Sequence, residues 1–371
     1  MRIGIPRQTA PGERRVALTP DVTRKLVDGG HTVIVESDAG RRAGFTDDEY
    51  RDAGGEVGPA AEAWSADFVA TVTLGDPLPD LGPDAVLLGL LRPFDEPDRM
   101  RRLAETGATI FAFEAVPRTT RAQTVDALSS QATAAGYQAA LEGATAADRF
   151  LPMLTTAAGT IPPAKVLVLG AGVAGLQAIA TARRLGAIVA AFDVRAAAAE
   201  QVESLGASFI DLDVERQDET QTGGYAREVA DDTQRRIMDG LAPHVAAADV
   251  VVTTAAIPGR PAPRLISKAM VEAMRPGSVI VDLAATTGGN CEVTRPGETI
   301  VHGGVTIVGD TDLVSRVAHD ASRMLARNVA SFIDLITDDG SLRLDFDDDI
   351  VAEACIARDG QIVHPRLVQE G

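Results

Sequence analysis

Short apolar runs alternate with amphipathic stretches along the first third of the chain. Runs at 2–5 and 31–35 flank a helix predicted over 19–27, in which Thr19-Pro20 supplies an N-cap and a first-turn proline. Further strands are predicted over Phe68–Thr73, Ala85–Leu91 and Thr109–Phe113. Strands that alternate with helices favour a mostly parallel sheet.

The same pattern begins again after a long Ala-rich helix, predicted over Arg121–Leu151, and a Thr/Ala/Gly/Pro lead-in at 155–163. The second set is predicted, in chain order, as strand Lys165–Leu169, helix Val173–Leu185, strand Ile188–Phe192, helix Ala196–Leu205, and strands Ser208–Ile210, Asp249–Thr254, Ser278–Leu283 and Val305–Val308. Segment Arg316–Ile336 then has helical spacing with one buried face, which predicts that it returns the chain to the first unit.

Two repeats of this pattern in 371 residues predict an α/β protein with two Rossmann-like domains and mostly parallel, doubly wound sheets. The first domain is predicted to be discontinuous, comprising 1–127 plus 320–371, and the second to cover 128–319. Aromatic residues are only 4% of the chain, so Ala, Val, Leu and Ile must form most of the core.

The formal net charge of −18 narrows the range of partners. Such a surface repels nucleic-acid phosphates and an anionic lipid leaflet, so we expect no nucleic-acid partner and no direct membrane insertion. No apolar run approaches the roughly 20 residues that span a bilayer, and the N-terminus enters a strand directly, without the form of a signal peptide. These features predict a cytoplasmic protein.

Cysteines and histidines give no metal signal. Cys291 and Cys355 lack ligand spacing and are expected to be reduced, buried thiols. The five histidines are scattered and have no acidic or cysteine partners at ligand spacing. No metal site is predicted.

The strongest local motif is Gly170-Ala171-Gly172-Val173-Ala174-Gly175. It follows an apolar strand, opens a helix, and precedes an acid, Asp193, at the end of the next strand, which is the context of a dinucleotide-binding turn. Gly170 permits the tight turn, Gly172 lets the backbone approach a pyrophosphate, and Gly175 allows close packing of helix on strand. The pyrophosphate is then expected at the positive end of the helix dipole.

Asp193 favours NAD(H) over NADP(H), because its carboxylate can accept hydrogen bonds from ribose hydroxyls and repels a 2′-phosphate. Arg195, two residues later, leaves two alternatives: it pairs with a 2′-phosphate, or it is a solvated residue at a helix start.

The stretch Arg118-Thr119-Thr120-Arg121-Ala122-Gln123-Thr124-Val125-Asp126-Ala127-Leu128-Ser129-Ser130-Gln131 resembles the signature loop of the NAD(H)-binding domain I of proton-translocating nicotinamide nucleotide transhydrogenases. Further matches run through nearly the full length, at 14–20, 170–175, 223–225, 257–263, 281–284 and 288–292. The length resembles the form in which domain I is a separate alpha subunit.

The resemblance implies site residues. Arg118, Gln123 and Asp126 match the family's catalytic positions around the nicotinamide, with Ser129 beside them and Gln123 towards the partner's nucleotide. The alternative for this group is a capped helix start with local hydrogen bonds three residues apart. Positions that match the family's remaining cofactor contacts are Val173, Ala174, Asp193, Val194, Arg195, Gly224, Tyr225 and Ala256. Tyr225 matches the tyrosine of a loop that closes over nucleotide.

Alanine dehydrogenases share this architecture but differ in chemistry. By resemblance, their catalytic Lys would fall within 71–77, their catalytic His within 90–93 and their catalytic Asp within 285–287, and this chain lacks the matching residue in each of the three stretches. Hydride transfer between two nicotinamides needs no general acid or base, only two rings held at reacting distance.

The resemblance therefore implies an NAD(H)-binding subunit that transfers hydride between NADH and NADP⁺. It implies that NADP(H) is bound by a partner domain on the beta subunit, and that a membrane-spanning subunit couples the exchange to proton flow. A homodimer, peripheral on the cytoplasmic face of the inner membrane through its partners, is expected. An alanine dehydrogenase-like enzyme and a non-catalytic NAD(H)-binding module are the alternatives.

Overall fold

A computed structural model describes residues 1–212, 231–257 and 259–368. The chain divides into two compact units, Met1–Gln131 with Val314–Gly371 and Ala132–Leu313, and each is described here by itself. The predicted α/β class with mostly parallel sheets is confirmed. The division into domains at 127/128 and 319/320 stays a prediction.

The strands are β1 (Arg2–Ile5), β2 (Thr32–Glu36), β3 (Glu56–Gly58), β4 (Phe68–Ala70), β5 (Val86–Gly89), β6 (Thr109–Ala112), β7 (Leu154–Thr156), β8 (Gly159–Ile161), β9 (Lys165–Leu169), β10 (Ile188–Phe192), β11 (Ser208–Phe209), β12 (Val250–Thr253), β13 (Val279–Asp282), β14 (Thr299–His302), β15 (Val305–Val308), β16 (Thr337–Asp338), β17 (Ser341–Leu342), β18 (Cys355–Arg358) and β19 (Gln361–Ile362).

The α-helices are α1 (Pro20–Asp28), α2 (Asp47–Asp52), α3 (Ala60–Trp64), α4 (Pro97–Ala104), α5 (Ala127–Ala146), α6 (Val173–Arg184), α7 (Ala198–Ser204), α8 (Asp231–Ala247), α9 (Lys268–Glu272), α10 (Ala318–Leu335), α11 (Asp349–Ala354) and α12 (Pro365–Val368). Short 3₁₀ helices lie at Arg41–Ala43, Phe113–Ala115, Arg121–Val125, Ala285–Thr287 and Leu313–Val317.

The first unit contains an eight-stranded sheet in the order β19-β18-β6-β5-β4-β1-β2-β3. Strands β1 to β6 pair in parallel, and the C-terminal segment adds β18 antiparallel to β6. In its core Phe332 contacts Phe111 and Phe113 edge to face, and all three rings are almost completely buried. The C-terminal segment thus completes both the sheet and the core of this unit.

The second unit contains a seven-stranded sheet in the order β11-β10-β9-β12-β13-β15-β14, parallel except for β14. Strands β10 and β11 lie on one side of β9 in this sheet, whereas β12 and β13 lie on its other side. Ligands of such sheets bind beyond the carboxyl ends of the strands where the order reverses. The glycine turn 170–175, called the phosphate turn below, follows β9, so it lies at that position.

Several predicted boundaries were wrong. The helix predicted over Arg121–Leu151 is a 3₁₀ turn followed by α5, which starts only at Ala127 because the Asp126 carboxylate accepts the backbone N–H of Ser129. The lead-in predicted over 155–163 contains an exposed hairpin of β7 and β8. No helix in the described part of the chain is both long and apolar enough to cross a membrane.

Candidate functional site

The turn between β9 and α6 has the backbone that its glycines predict. Gly170 has φ +97° and donates its N–H to the Phe192 carbonyl at 2.8 Å, which fixes the turn to β10. A Cβ on Gly175 would lie 1.9 Å from the Gly170 carbonyl oxygen. Because no side chain fits there, Gly175 is required for the first turn of α6 to close against the strand.

Gly172 differs from the other two because no heavy atom lies within 4 Å of the position its Cβ would occupy. It is the N-cap of the twelve-residue α6, and no side chain caps the helix there. Val173 beside it is 38% exposed, and Ala174 is half-buried. The N–H groups at the start of α6 are therefore accessible at the surface of the turn, an arrangement that fits a pyrophosphate.

The Asp193 carboxylate is already fully hydrogen-bonded. Its Oδ1 accepts from the backbone N–H and Nε of Arg195, and its Oδ2 accepts from Ala171 N and Arg195 Nη2, all at 2.7–3.0 Å. Asp193 and Arg195 are each 8% exposed, so the interpretation of Arg195 as a solvated residue is wrong. A ribose hydroxyl reaches this carboxylate only by sharing or displacing one of those donors.

The loop after β12 borders the same turn. The Thr254 hydroxyl donates to the Gly170 carbonyl at 3.0 Å, and Ala256, which was predicted to contact the cofactor, is exposed two residues later. Asn290 holds this loop: its Oδ1 accepts from Ala255 N and its Nδ2 donates to Ala255 O and Pro263 O. Asn290 lies in a stretch that the sequence resemblance had marked, without a role.

A second feature that sequence reasoning missed is Gly136 in α5. A Cβ at Gly136 would lie 2.0 Å from the Ala174 carbonyl oxygen, so α5 packs directly against the start of α6. A glycine inside an Ala-rich helix is costly, and that cost is the sequence signal that could have indicated this contact.

Val194, also predicted to contact cofactor, is half-buried between Asp193 and Arg195.

The first unit contains the residues that were assigned to the nicotinamide. Asp126 accepts from Ser129 N at 2.9 Å and from the Ser129 hydroxyl at 2.6 Å, so the capped helix start is present. Arg118 and Gln123 are exposed. Asp126 and Ser129 therefore have a structural role whatever else they do, whereas Gln123 projects from the surface. Gly224 and Tyr225 lie outside the described residues.

A buried ion pair lies next to this helix start. Arg15 donates from Nη2 to Glu13 Oε2 at 2.5 Å and from Nη1 to Gln131 Oε1 at 2.8 Å. Burial opposes ionisation of Glu13, but the hydrogen bonds and charge of Arg15 hold its pKa below the usual range. Gln131 in turn donates to the Ala321 carbonyl, which ties α5 to α10 within this unit.

The stretches 71–77 and 90–93, in which the resemblance would place catalytic residues of alanine dehydrogenases, contain other groups here. Thr71, after β4, accepts a hydrogen bond from the amide of Gln8 at 3.0 Å. The backbone N–H groups of Leu91 and Arg92, after β5, donate to the Glu114 carboxylate at 3.2 and 2.8 Å. Burial raises the pKa of Glu114 to about 7, an unusual carboxyl that sequence reasoning missed.

Metal ligands are not clustered in the described ranges 1–212, 231–257 and 259–368, where no group of three or more His, Cys, Asp or Glu side chains is placed to hold an ion. Cys291 and Cys355 are buried free thiols.

Family models match nearly the whole chain. The N-terminal domain model of alanine dehydrogenase/PNT matches residues 4–135, and the C-terminal domain model matches residues 139–365.

Individual relatives agree with this match. An NAD(P) transhydrogenase alpha-subunit chain of Rhodospirillum rubrum is 45% identical over 383 residues, covering 100% of both chains. A transhydrogenase crystal structure from Sinorhizobium meliloti superimposes with a TM-score of 0.88 at 43% identity, covering 98% of this chain and 100% of that one. An L-alanine dehydrogenase structure has a TM-score of 0.82 at 30% identity, covering 100% of this chain and 98% of that one.

Proposed function

The chain belongs to the alanine dehydrogenase/PNT family, and from this premise we propose that it is the NAD(H)-binding alpha subunit of a proton-translocating transhydrogenase. The observation that carries the proposal is the similarity to a transhydrogenase alpha-subunit chain along the entire length of both proteins. In this function the chain transfers hydride between NADH and NADP⁺, which is bound by a domain of the beta subunit. A membrane-spanning subunit couples the exchange to proton translocation.

NAD(H) is the expected cofactor, and the second unit would hold it. The open surface at Gly172 and the uncapped start of α6 suit the pyrophosphate. Asp193 suits the ribose hydroxyls and disfavours a 2′-phosphate, because two anions would meet in a poorly solvated position. Val173, Ala174, Val194, Arg195 and Ala256 border these two groups and are proposed as further contacts.

Bound NADH supplies the hydride, so the residues of this chain bind and orient. Arg118, Gln123 and Asp126 are proposed to contact the nicotinamide end, with Ser129 holding the Asp126 carboxylate. Positioning can provide most of the rate enhancement when no proton moves at the reacting carbons. The sequence has no Lys in 71–77, no His in 90–93 and no Asp in 285–287, which agrees with this assignment.

Attachment through partner subunits follows from the same proposal. The net charge of −18 disfavours direct binding to anionic lipid, so the chain would lie on the cytoplasmic face of the inner membrane only through its partners. We expect a homodimer, as the resemblance implies.

An alanine dehydrogenase-like activity is the second candidate, favoured by the TM-score of 0.82 with an L-alanine dehydrogenase. Such an enzyme must move a proton and hold a carboxylate, and it would reduce NAD⁺ with alanine in the absence of any other protein.

The deciding experiment mixes this chain with the NADP(H)-binding domain and follows hydride transfer from NADH to an NADP⁺ analogue by absorbance. We expect transfer only with both components, and no NAD⁺ reduction by alanine. Reduction of NAD⁺ by alanine alone would replace the proposal with the second candidate. Tight NADH binding without any exchange would instead indicate a non-catalytic NAD(H)-binding module.

A further inference from the structure

The 3₁₀ turn Arg121–Val125 carries Gln123 and is attached to the core of the first unit by two apolar side chains. Ala122 and Val125 are almost completely buried in that core, whereas Gln123 and Thr124 between them are exposed. Apolar contacts hold the turn against the core but have no preferred direction. The orientation of Gln123 therefore depends on the hydrogen bonds that the turn makes.

Asn328, on α10, provides such hydrogen bonds at the end of the turn. Its Nδ2 donates to the Thr124 carbonyl at 2.9 Å, and its Oδ1 accepts from the Ser130 hydroxyl at 2.7 Å. The Ser130 oxygen accepts in turn from Gln131 Nε2 at 3.2 Å. These partners fix which way the amide points, because a rotated amide would place its oxygen against the Thr124 carbonyl oxygen. One side chain thus joins the turn before Asp126 to the helix that follows it.

Asn328 differs from its neighbours on α10. Only 7% of its surface is exposed, and Leu325, Val329 and Phe332 on the same face of the helix are completely buried. A buried amide costs free energy unless its ends are hydrogen-bonded, and a leucine of similar shape would pack here without that cost. Packing in the core therefore does not explain the amide, whereas its two bonds to the segment 124–130 do.

The start of the same turn is also held by the C-terminal segment. Arg121 donates from Nη1 and Nη2 to the two carboxylate oxygens of Asp348 at 2.6 and 2.8 Å, and it also contacts Asp349. The hydrogen bond from Arg121 lowers the pKa of Asp348 to about 2, so this carboxylate stays ionised at neutral pH. The turn is consequently fixed at Arg121 on its exposed side and at Thr124 on its buried side, with Gln123 between them.

We propose that Asn328 is a positioning residue for hydride transfer: its bond to the Thr124 carbonyl sets the orientation of the neighbouring Gln123. This role rests on the proposed function, in which Gln123 contacts the nicotinamide end. A displacement of about 1 Å at a reacting site can cost about a hundredfold in rate. A side chain that acts only through the turn can therefore control the rate without touching the cofactor.

Asn328→Leu tests this role, because it keeps the approximate shape of the side chain and removes both hydrogen bonds. The groups that lose their partner have alternatives: the Ser130 hydroxyl lies 3.1 Å from the Ala127 carbonyl, and Thr124 is exposed to water. We therefore expect a folded protein whose melting temperature changes little. Ser322→Ala is the matched control, since Ser322 is also buried on α10 but accepts the backbone N–H of Val16.

Hydrogen exchange of the full chain tests the positioning without any partner. The amides of Gln123 and Asp126 donate to carbonyls of residues 120 and 123, so their exchange reports on the order of the turn. We expect amides within 118–130 to exchange about tenfold faster in Asn328→Leu, and at the original rates in Ser322→Ala. Unchanged protection of this segment in folded Asn328→Leu contradicts the inference.

Hydride transfer with the NADP(H)-binding domain tests the consequence for the reaction. At saturating NADH, we expect transfer by Asn328→Leu to be about tenfold slower, with NADH affinity within about twofold of the original and normal transfer by Ser322→Ala. A purely structural role would lower the melting temperature and leave this rate unchanged. Equal rates for Asn328→Leu and the original protein would overturn this inference alone, whereas absence of transfer by the original protein would overturn the proposed function.

Discussion

The carboxylate of Asp193 accepts the backbone N–H of Ala171 at 2.7 Å, which joins the residue after β10 to the phosphate turn. The same carboxylate pairs with the guanidinium of Arg195. One side chain thus fixes the turn and neutralises a buried cation. It is also the group proposed to distinguish NAD(H) from NADP(H), so these roles can be separated only by comparing variants.

Asp193→Asn should weaken NADH binding by about tenfold or more, because a hydrogen bond to a charged group contributes roughly 1.5–3 kcal/mol. The ratio of NADPH to NADH affinity should rise, since the anion that repels a 2′-phosphate is gone. Fluorescence titration with both nucleotides measures the two effects. Arg195→Gln breaks the same ion pair but keeps the carboxylate. An affinity ratio that shifts equally in Arg195→Gln would show that Asp193 does not select the nucleotide.

Gly172→Ala should abolish most NADH binding without affecting folding. Its Cβ enters open space at φ −70°, yet occupies the surface that a pyrophosphate must approach. Gly175→Ala should instead lower the melting temperature, because its Cβ overlaps the Gly170 carbonyl oxygen. Calorimetric titration and thermal unfolding of the two variants give the comparison. If Gly172→Ala binds NADH normally, the cofactor does not occupy this turn.

Gln123→Asn should lower the rate of hydride exchange with the NADP(H)-binding domain by about tenfold, because a displacement of about 1 Å at a reacting site can cost a hundredfold. Its melting temperature should not change, since Gln123 is exposed. Asp126→Ala serves as the comparison: it also removes the cap of α5, which typically costs about 0.5–2 kcal/mol. Normal exchange by Gln123→Asn would remove Gln123 from the site.

Glu114→Gln should change the pH dependence of stability. Burial raises the pKa of Glu114 from 4.5 to about 7, so its stabilising contribution is complete below pH 4.5 and is lost as pH rises to 7. The variant should therefore gain stability over the original protein across that interval, by a few kcal/mol. Urea unfolding between pH 4.5 and 8 measures this, with exposed Glu105→Gln as the control. Parallel curves for Glu114→Gln and the original protein would contradict it.

The parts of the site that could be predicted from sequence are those in which the local backbone geometry requires a particular residue type. The glycines of 170–175 and the acid at 193 follow from the geometry of one turn and two adjacent strands. The helical pattern alone placed the start of α5 at Arg121, whereas the alternative of a capped helix start for the group that includes Asp126 agrees with the observed cap. Asn290 and Glu114 could not be assigned, since the partners of Asn290 lie 27 and 35 residues away and those of Glu114 lie 22 and 23 residues away. Such pairings depend on tertiary packing.

Gly136 has a consequence for the energetics of nucleotide exchange. Since α5 lies against the Ala174 carbonyl with no room for a methyl group, the first turn of α6 cannot move towards α5. The entropy of ordering this backbone is then lost during folding, not during each association with nucleotide. The backbone at the start of α6 therefore does not have to become ordered again each time that cofactor is released and rebound.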